Sequence, residues 1–304
     1  MPELGMSISG SKYLFDVFIA VDFSGSKDPR QQRKHIAFAE TEHGLLTPRV
    51  EDELNFTRSE AVSHLMERLH YHDSRGKRVL CGFDFQYSFP IGFWHTLTGL
   101  QENWAEMTRG ISEGVSELLP ISEEPESNAR QWADAANKRI SHRTGITTGP
   151  FWGPHFSQAT NPHFPFSQAC FQEKRLIDQR VKNSHLKNIQ SIFKIGGGGS
   201  VGLQSLCGIP YLSRIRADCL RQSVPLSFWP FDDWELTDYR HALIEWYPAI
   251  HNRGPKSDKN DASACVRWAS ESDEEGTLSR YFTPTLSDSE KAQVTFEGWI
   301  LGVQ

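Results

Sequence analysis

"VFIAVDFSGSKDPR" (Val17 to Arg30) is the stretch on which the reading of this chain turns. Five apolar residues, rich in β-branched and aromatic side chains, run straight into Asp22, and Phe23-Ser24-Gly25-Ser26 follows as a run of turn formers. The pattern predicts a buried strand over Val17–Asp22 that ends on a carboxylate. Such an aspartate is either a turn former or one ligand of a site for a metal or a phosphate. The choice depends on whether other acids arrive at the same place.

Reading onward, Ser24 to Gln32 is a polar loop, Lys34 to Glu40 a second strand, and His43-Gly44 a turn. Leu45 to Val50 returns as a third strand, with Pro48 suited to an edge. These three strands make an antiparallel meander. The period then changes: Ala61, Val62, Leu65, Met66 and Leu69 recur at helical spacing over Arg58–His70, with Thr57 as cap and Gly76 as the stop. Arg78 to Phe85 is near-continuously apolar, as in a strand buried on both faces, and it too carries an acid near its end, Asp84.

From residue 90 to 239 the pattern is helical and loop-like, with candidate helices near 100–119, 127–142, 169–183 and 200–221. Strand character returns at His241–Tyr247, followed by a polar loop, a helix over Asp258–Ser270, an acidic loop over Glu271–Glu275 and a last helix over Ser289–Leu301. The expected organisation is an α/β core from 12–89 and 240–304, carrying a mixed five-stranded sheet, with a large, mainly helical insertion over 90–239.

Asp22 and Asp84 both stand at the C-terminal ends of strands, the edge where open α/β sheets place their ligands. Glu245 lies near the end of the last strand, and Asp258 and Asp261 are three apart at a helix start, so they share one side. Gathered together, these carboxylates would repel one another. A pair of hard divalent cations, Mg²⁺ or Mn²⁺, would remove that cost and supply the chemistry of phosphodiester hydrolysis. The expected metal-binding set is Asp22, Asp84, Glu245, Asp258 and Asp261, with Asp22, Asp84, Glu245 and Asp261 as the catalytic subset.

Three antiparallel strands, a helix, then parallel strands, with acids on the first strand, the fourth strand and a late helix, is the element order of the ribonuclease H-like fold. The spacing Asp258-Lys-Asn-Asp261 resembles the closing acid pair of the Holliday-junction resolvase branch of that superfamily. More specifically, the chain resembles an uncharacterised prokaryotic family of predicted ribonuclease H-like nucleases, one of the domain-of-unknown-function families. The matching pieces are "AVDFSG" (20–25), "GFDFQYSFPIGF" (82–93), "SVGLQSLCGIPYLSRIR" (200–216), "FWPFD" (228–232), "EWYPA" (245–249), "DKNDASA" (258–264) and "EGWILGV" (297–303). They run in order along nearly the whole chain. The resemblance implies Asp22, Asp84 and Asp261, with Glu245 or Asp258, as metal ligands. It departs from the ribonuclease H pattern at the first helix, where Glu60 and Glu67 are left outside the site.

Composition sets the remaining bounds. Hydrophobic residues make up 38% and charged residues 23% of 304, a globular balance. The apolar run around Tyr13–Val21 is far shorter than the roughly 20 residues of a membrane span, and MPELGMSISG lacks the features of a secretion signal. Five scattered cysteines without a Cys-x-x-Cys pair argue against a disulfide framework, so a cytoplasmic setting is expected. His70-Tyr71-His72 has no third ligand at a usual spacing and reads as structural.

Between Arg130 and Lys194 ten Lys/Arg face three acids, a net +7 against −13 for the remainder of a chain whose total is −6. That segment is either a solvated helical face or a surface for nucleic acid or a nucleotide. Gly196 to Gly199 with Ser200 reads as a flexible connection, with phosphate contact as the alternative. Phe151, Trp152, Phe156, Phe164 and Phe166 either stack on unpaired bases or, the preferred reading, form the core of the insertion. Two other function classes remain open. One is a nucleotide-binding phosphotransferase or ATPase of the actin-like type, since Asp22-Phe-Ser-Gly-Ser approaches its phosphate loop. The other is a non-catalytic ribonuclease H-like binding module.

Overall fold

The computed structural model describes residues 13–45, 48–50, 55–123, 127–154, 164–183, 189–197, 200–236 and 241–304. Its strands are β1 (Val17–Asp22), β2 (Ala37–Glu42), β3 (Arg49–Val50), β4 (Val79–Phe83), β5 (Leu226–Phe228) and β6 (His241–Glu245). They form one mixed sheet in the order β3-β2-β1-β4-β6-β5. The first three pair antiparallel, whereas β4 runs parallel to β1, β6 to β4 and β5 to β6.

The sheet therefore has six strands rather than the expected five. The addition, β5, comes from the segment assigned to the insertion, and at three residues it is too short to carry a readable period. A second difference lies between β1 and β2. The helix α1 (Pro29–His35) occupies part of the expected loop and the start of the expected strand. Asp28 caps it by accepting from the Arg30 N–H at 2.9 Å, and Pro29 sits in the first turn, where its missing N–H costs nothing.

The helix α2 (Arg58–Asp73) begins as its sequence predicts, with Thr57 and Glu60 forming a capping box. Of the expected helices in 90–239, the structure has α4 (Trp104–Glu113), α5 (Ala129–Thr144), α6 (Leu176–Asn183) and α7 (Gly202–Gln222), preceded by a short α3 (Phe93–Thr98). The helix α8 (Asp258–Glu274) absorbs most of the expected acidic loop, because no chain-breaking residue occurs before Gly276. One of those acids is buried: Asp273 accepts the N–H groups of Leu14 and Phe15, at 3.0 Å each, and ties the entry to β1. The last helix is α9 (Asp288–Glu297).

Strand parity divides the core into two layers. Val17, Ile19 and Val21 pack with α2, α7 and the aromatic residues Phe89, Phe93, Phe151 and Phe193. Phe18 and Ala20 pack against Ala262, Cys265 and Val266 of α8. Phe151 and Phe164 are buried, so these two rings belong to the core rather than to a stacking surface; Phe156 lies outside the described residues.

Candidate functional site

The site is set by two parallel strands ending together. Val21 of β1 faces Phe83 of β4, so the next residues, Asp22 and Asp84, emerge side by side. Gly82 permits the close packing behind them: a Cβ there would lie 2.0 Å from the Ile244 carbonyl oxygen. Asp84 Oδ1 accepts from the Phe23 N–H at 2.7 Å and from Gln204 Nε2 at 2.9 Å. The same Gln204 amide donates to the Phe23 carbonyl at 2.6 Å. Gly25 lies so close to the start of α7 that a Cβ would stand 2.7 Å from the Gln204 nitrogen. Buried Arg58 donates from Nη1 to the carbonyls of Ser24 and Ser26. The Ser24-Gly25-Ser26 segment is thus a clamped turn, and Gln204 and Arg58 are the clamp. Neither carried a sequence signal, since each acts from a helix distant in the chain.

The third contribution comes from the start of α8. Ser257 caps the helix through the Asn260 N–H, leaving Asp258 and Asp261 exposed to the cleft instead of spent on the cap. Asp258 meets His35 Nδ1 at 3.1 Å, and Asp261 Oδ1 accepts from Asn252 Nδ2 at 2.6 Å. Asp22, Asp84, Glu245, Asp258 and Asp261 all line one cleft of about 530 Å³, with Ser24, Gln86, Gln204 and Lys256 also in its wall.

Among the described residues, none of the four aspartates is ion-paired with a lysine or arginine; the histidine on Asp258 is the one such partner. Burial pushes the Asp22 carboxyl well above its ordinary range, and the neighbouring charges of Asp84, Asp258 and Asp261 push it further. Burial likewise raises Asp84 to about 7 against the N–H groups that favour its charged form. Both carboxyls therefore keep a proton more readily than ordinary carboxylates do. A hard divalent cation would replace that proton, and an all-oxygen donor set of this kind fits Mg²⁺ or Mn²⁺. In this conformation, however, no three of the cleft's carboxylates bring ligand atoms within 4.8 Å of one another.

Glu245 requires a correction. It lines the cleft and is only 3% exposed, but Arg175 Nη1 and Nη2 engage its two oxygens at 2.7 Å each. Arg175 also binds Asp178, and the Tyr87 N–H donates to Glu245 Oε2. Burial raises this carboxyl above its ordinary range even against the Arg175 guanidinium, which favours its charged form, and the bidentate pair occupies both oxygens. Glu245 is therefore an ion-pair partner and not a free ligand. Glu60, left outside the site, is taken by its capping box and by Arg33.

A second acidic group lies on β2 and α2. Glu40, Glu42 and His72 each place one potential ligand atom within 4.8 Å of the others and could hold a divalent cation. His72 had no third ligand along the sequence because its neighbours arrive from across the sheet. Both carboxylates already have cations: Arg68 grips Glu40 at 2.6 and 2.7 Å, and Lys77 pairs with Glu42. Burial opposes the charge on Glu40, but its bonds to His72 and Arg68 outweigh that and bring it down to about 2.

The basic segment does not form one free face. Lys138 pairs with Asp134, Arg139 with Glu117 and Arg180 with Glu290, Arg175 is buried, and Arg143 and Lys174 bind the carbonyls of Thr96 and Ile189. Its Lys187 lies outside the described residues, as do Gly198 and Gly199 of the glycine run. No helix of the described residues is long and apolar enough to cross a membrane. Comparison with protein-family models, curated proteins and solved structures finds no match for this chain.

Proposed function

We propose that the cleft at the ends of β1 and β4 is the centre of a divalent-metal-dependent phosphodiesterase with a ribonuclease H-like core, acting on nucleic acid. The observation that carries this reading is the convergence of Asp22, Asp84, Asp258 and Asp261 on one cleft with no lysine or arginine among the described residues paired to them. The Asp22 and Asp84 carboxyls are both raised there, as expected of buried neighbouring acids without a counter-charge. The sheet order supports the ribonuclease H-like assignment, because an antiparallel β3-β2-β1 unit followed by parallel strands is the arrangement its sequence resemblance implies. Asp22 and Asp84 would hold the cation from the strand ends and Asp258 and Asp261 from the helix. Mg²⁺ or Mn²⁺ bound there would activate a water and stabilise the leaving oxygen. Gln204 and the Phe23 N–H fix the Asp84 carboxylate, and Asn252 fixes that of Asp261.

The test is cleavage of labelled single- and double-stranded DNA and RNA with and without Mg²⁺ or Mn²⁺. Cleavage should require the metal and fall by at least ~10³-fold in Asp22→Asn and Asp84→Asn, the scale expected when transition-state charge stabilisation is removed, with both variants folded by circular dichroism. Undiminished cleavage in both would remove the assignment. Turnover of ATP without cleavage of any nucleic acid would favour the actin-like alternative instead.

A further inference from the structure

Beside the acidic cleft runs a second hollow of about 390 Å³, lined by His251, Asn252, Arg253, Gly254, Pro255 and by one face of α8 that includes Asn260, Arg267, Trp268 and Glu271. Asn252 and Gly254 belong to the walls of both, so the two hollows adjoin at the 252–254 loop. Helical spacing explains the juxtaposition. Asp258 and Asp261 look into the cleft, while Asn260, Ser263, Ala264, Arg267, Trp268 and Glu271, at successive offsets of three, one, three, one and three, form the adjacent face.

The charges in this hollow differ from those of the 130–194 segment. Arg253 and Arg267 are exposed and make no ion pair or hydrogen bond among the described residues, and Lys256 in the wall of the adjoining acidic cleft is equally uncommitted. Glu271 is the one acid in the lining. The same lining holds an aromatic platform: His251 stacks on Trp268 at 4.1 Å between centroids and 25° between planes, and Tyr281 braces Trp268 edge-on at 5.1 Å. Burial and the Arg253 charge lower His251 to about 3, so the platform is neutral at physiological pH.

Resting on the phosphodiesterase reading above, we infer that this hollow is the track for a single nucleic-acid strand. Arg253, Arg267 and Lys256 neutralise successive phosphates, Trp268 takes a base face, and the loop at Asn252–Gly254 leads the backbone into the acidic cleft. Unpaired cations with an aromatic side chain beside them form the combination that binds single strands irrespective of sequence, whereas a duplex keeps its base faces covered. The hollow thus specifies the substrate as a strand with unpaired bases and explains how a chain of net charge −6 would hold a polyanion.

The experiment is fluorescence anisotropy of labelled oligo-dT and oligo-U of about 15 nucleotides, a length within single-strand site sizes, and of a matched duplex, in EDTA at low salt. The single strands should bind at least ~10-fold tighter than the duplex and than ATP. Arg253→Ala/Arg267→Ala should weaken strand binding by at least ~10-fold and flatten the salt dependence by roughly 1–1.5 in log–log slope, the effect of two phosphate contacts. Trp268→Leu should weaken it without changing that slope, with thermal melting as the control for folding. Equal binding by wild type and the double-arginine variant overturns the track, as does a wild type that binds no strand or prefers duplex. Binding by the wild type with no cleavage in Mg²⁺ or Mn²⁺ would remove the phosphodiesterase reading and leave the track standing. Metal-dependent cleavage with an unchanged KM in the arginine variant would do the reverse. The preference between oligo-dT and oligo-U then tells DNA from RNA.

Discussion

Asp84 and Glu245 stand at the ends of adjacent parallel strands, Glu245 buried and Asp84 partly so, yet they meet different surroundings. Glu245 is gripped by Arg175, whose guanidinium also holds Asp178, and the three charges close on themselves. Asp84 meets Asp22, a backbone N–H and the Gln204 amide, but no cation among the described residues. The same type of residue at the same sheet edge serves the fold in one case and leaves an unmet demand for positive charge in the other. Burial costs a carboxylate its hydration in both; the difference lies in whether the chain supplies the counter-charge.

The largest test of that contrast is to remove the supplied counter-charge. Arg175→Met should destabilise the protein by about 3–5 kcal/mol, since it leaves two buried carboxylates unpaired. Urea denaturation measures it, and a loss below about 1 kcal/mol would mean that Glu245 and Asp178 are not held as described.

Asp84→Asn should act in the opposite sense. At pH 8 without metal it should stabilise the fold by roughly 1–3 kcal/mol, less than the ~4 kcal/mol equivalent to the full shift at 1.36 kcal/mol per unit. A raised folded-state pKa, from 3.8 to about 7, fixes the sign. The stabilising effect of the retained proton is fully present below pH 3.8 and is lost as pH rises through about 7. The metal-free wild type should therefore lose stability over that window, and millimolar Mg²⁺ or Mn²⁺ should restore it at the alkaline end. Denaturation midpoints between pH 4 and 8, with and without metal, would show a flat line if the aspartates kept no proton.

Glu40 offers the mirror image on a smaller scale. Its folded-state pKa is lowered from 4.5 to about 2, so its contribution is present above pH 4.5 and disappears as pH falls through about 2. Glu40→Gln should cost about 1–3 kcal/mol through the loss of a charge-assisted pair with partly buried Arg68. Glu42→Gln, at a half-exposed pair with Lys77, should cost less than ~1 kcal/mol. Calorimetric titration with Mn²⁺ sharpens the comparison further. The heat should vanish in Asp22→Asn and persist in Glu40→Gln, because the cations of Arg68 and Lys77 compete with any metal at the second cluster. The reverse pattern would move the metal centre to Glu40, Glu42 and His72.

Much of this arrangement was legible along the chain. Val17–Asp22 was readable as a strand from its unbroken apolar run, and the structure keeps those bounds. The α2 helix was readable because Ala61, Val62, Leu65, Met66 and Leu69 recur at helical spacing behind Thr57 as cap, and the Asp258/Asp261 pair because three residues of helix set its geometry. These signals are short in range, and local sterics and periodicity suffice to produce them. The three-residue β5 had no such signal and exists through its pairing with β6.

What tertiary structure alone decided is which acids remain without a counter-charge. Glu245 looked equivalent to Asp84 in sequence, and its partner Arg175 stands 70 residues away along the chain. Glu40, Glu42 and His72 gather only when α2 folds over the sheet. Arg253 and Arg267 make no ion pair among the described residues, although Glu271 lines the same hollow, while the richer run of cations between 130 and 194 is largely spent on internal bonds. Sequence fixes the backbone's local choices, which cost and gain energy over a few residues. Ionisation depends on burial and on every charge within several ångströms, and those neighbours are assembled only by the fold.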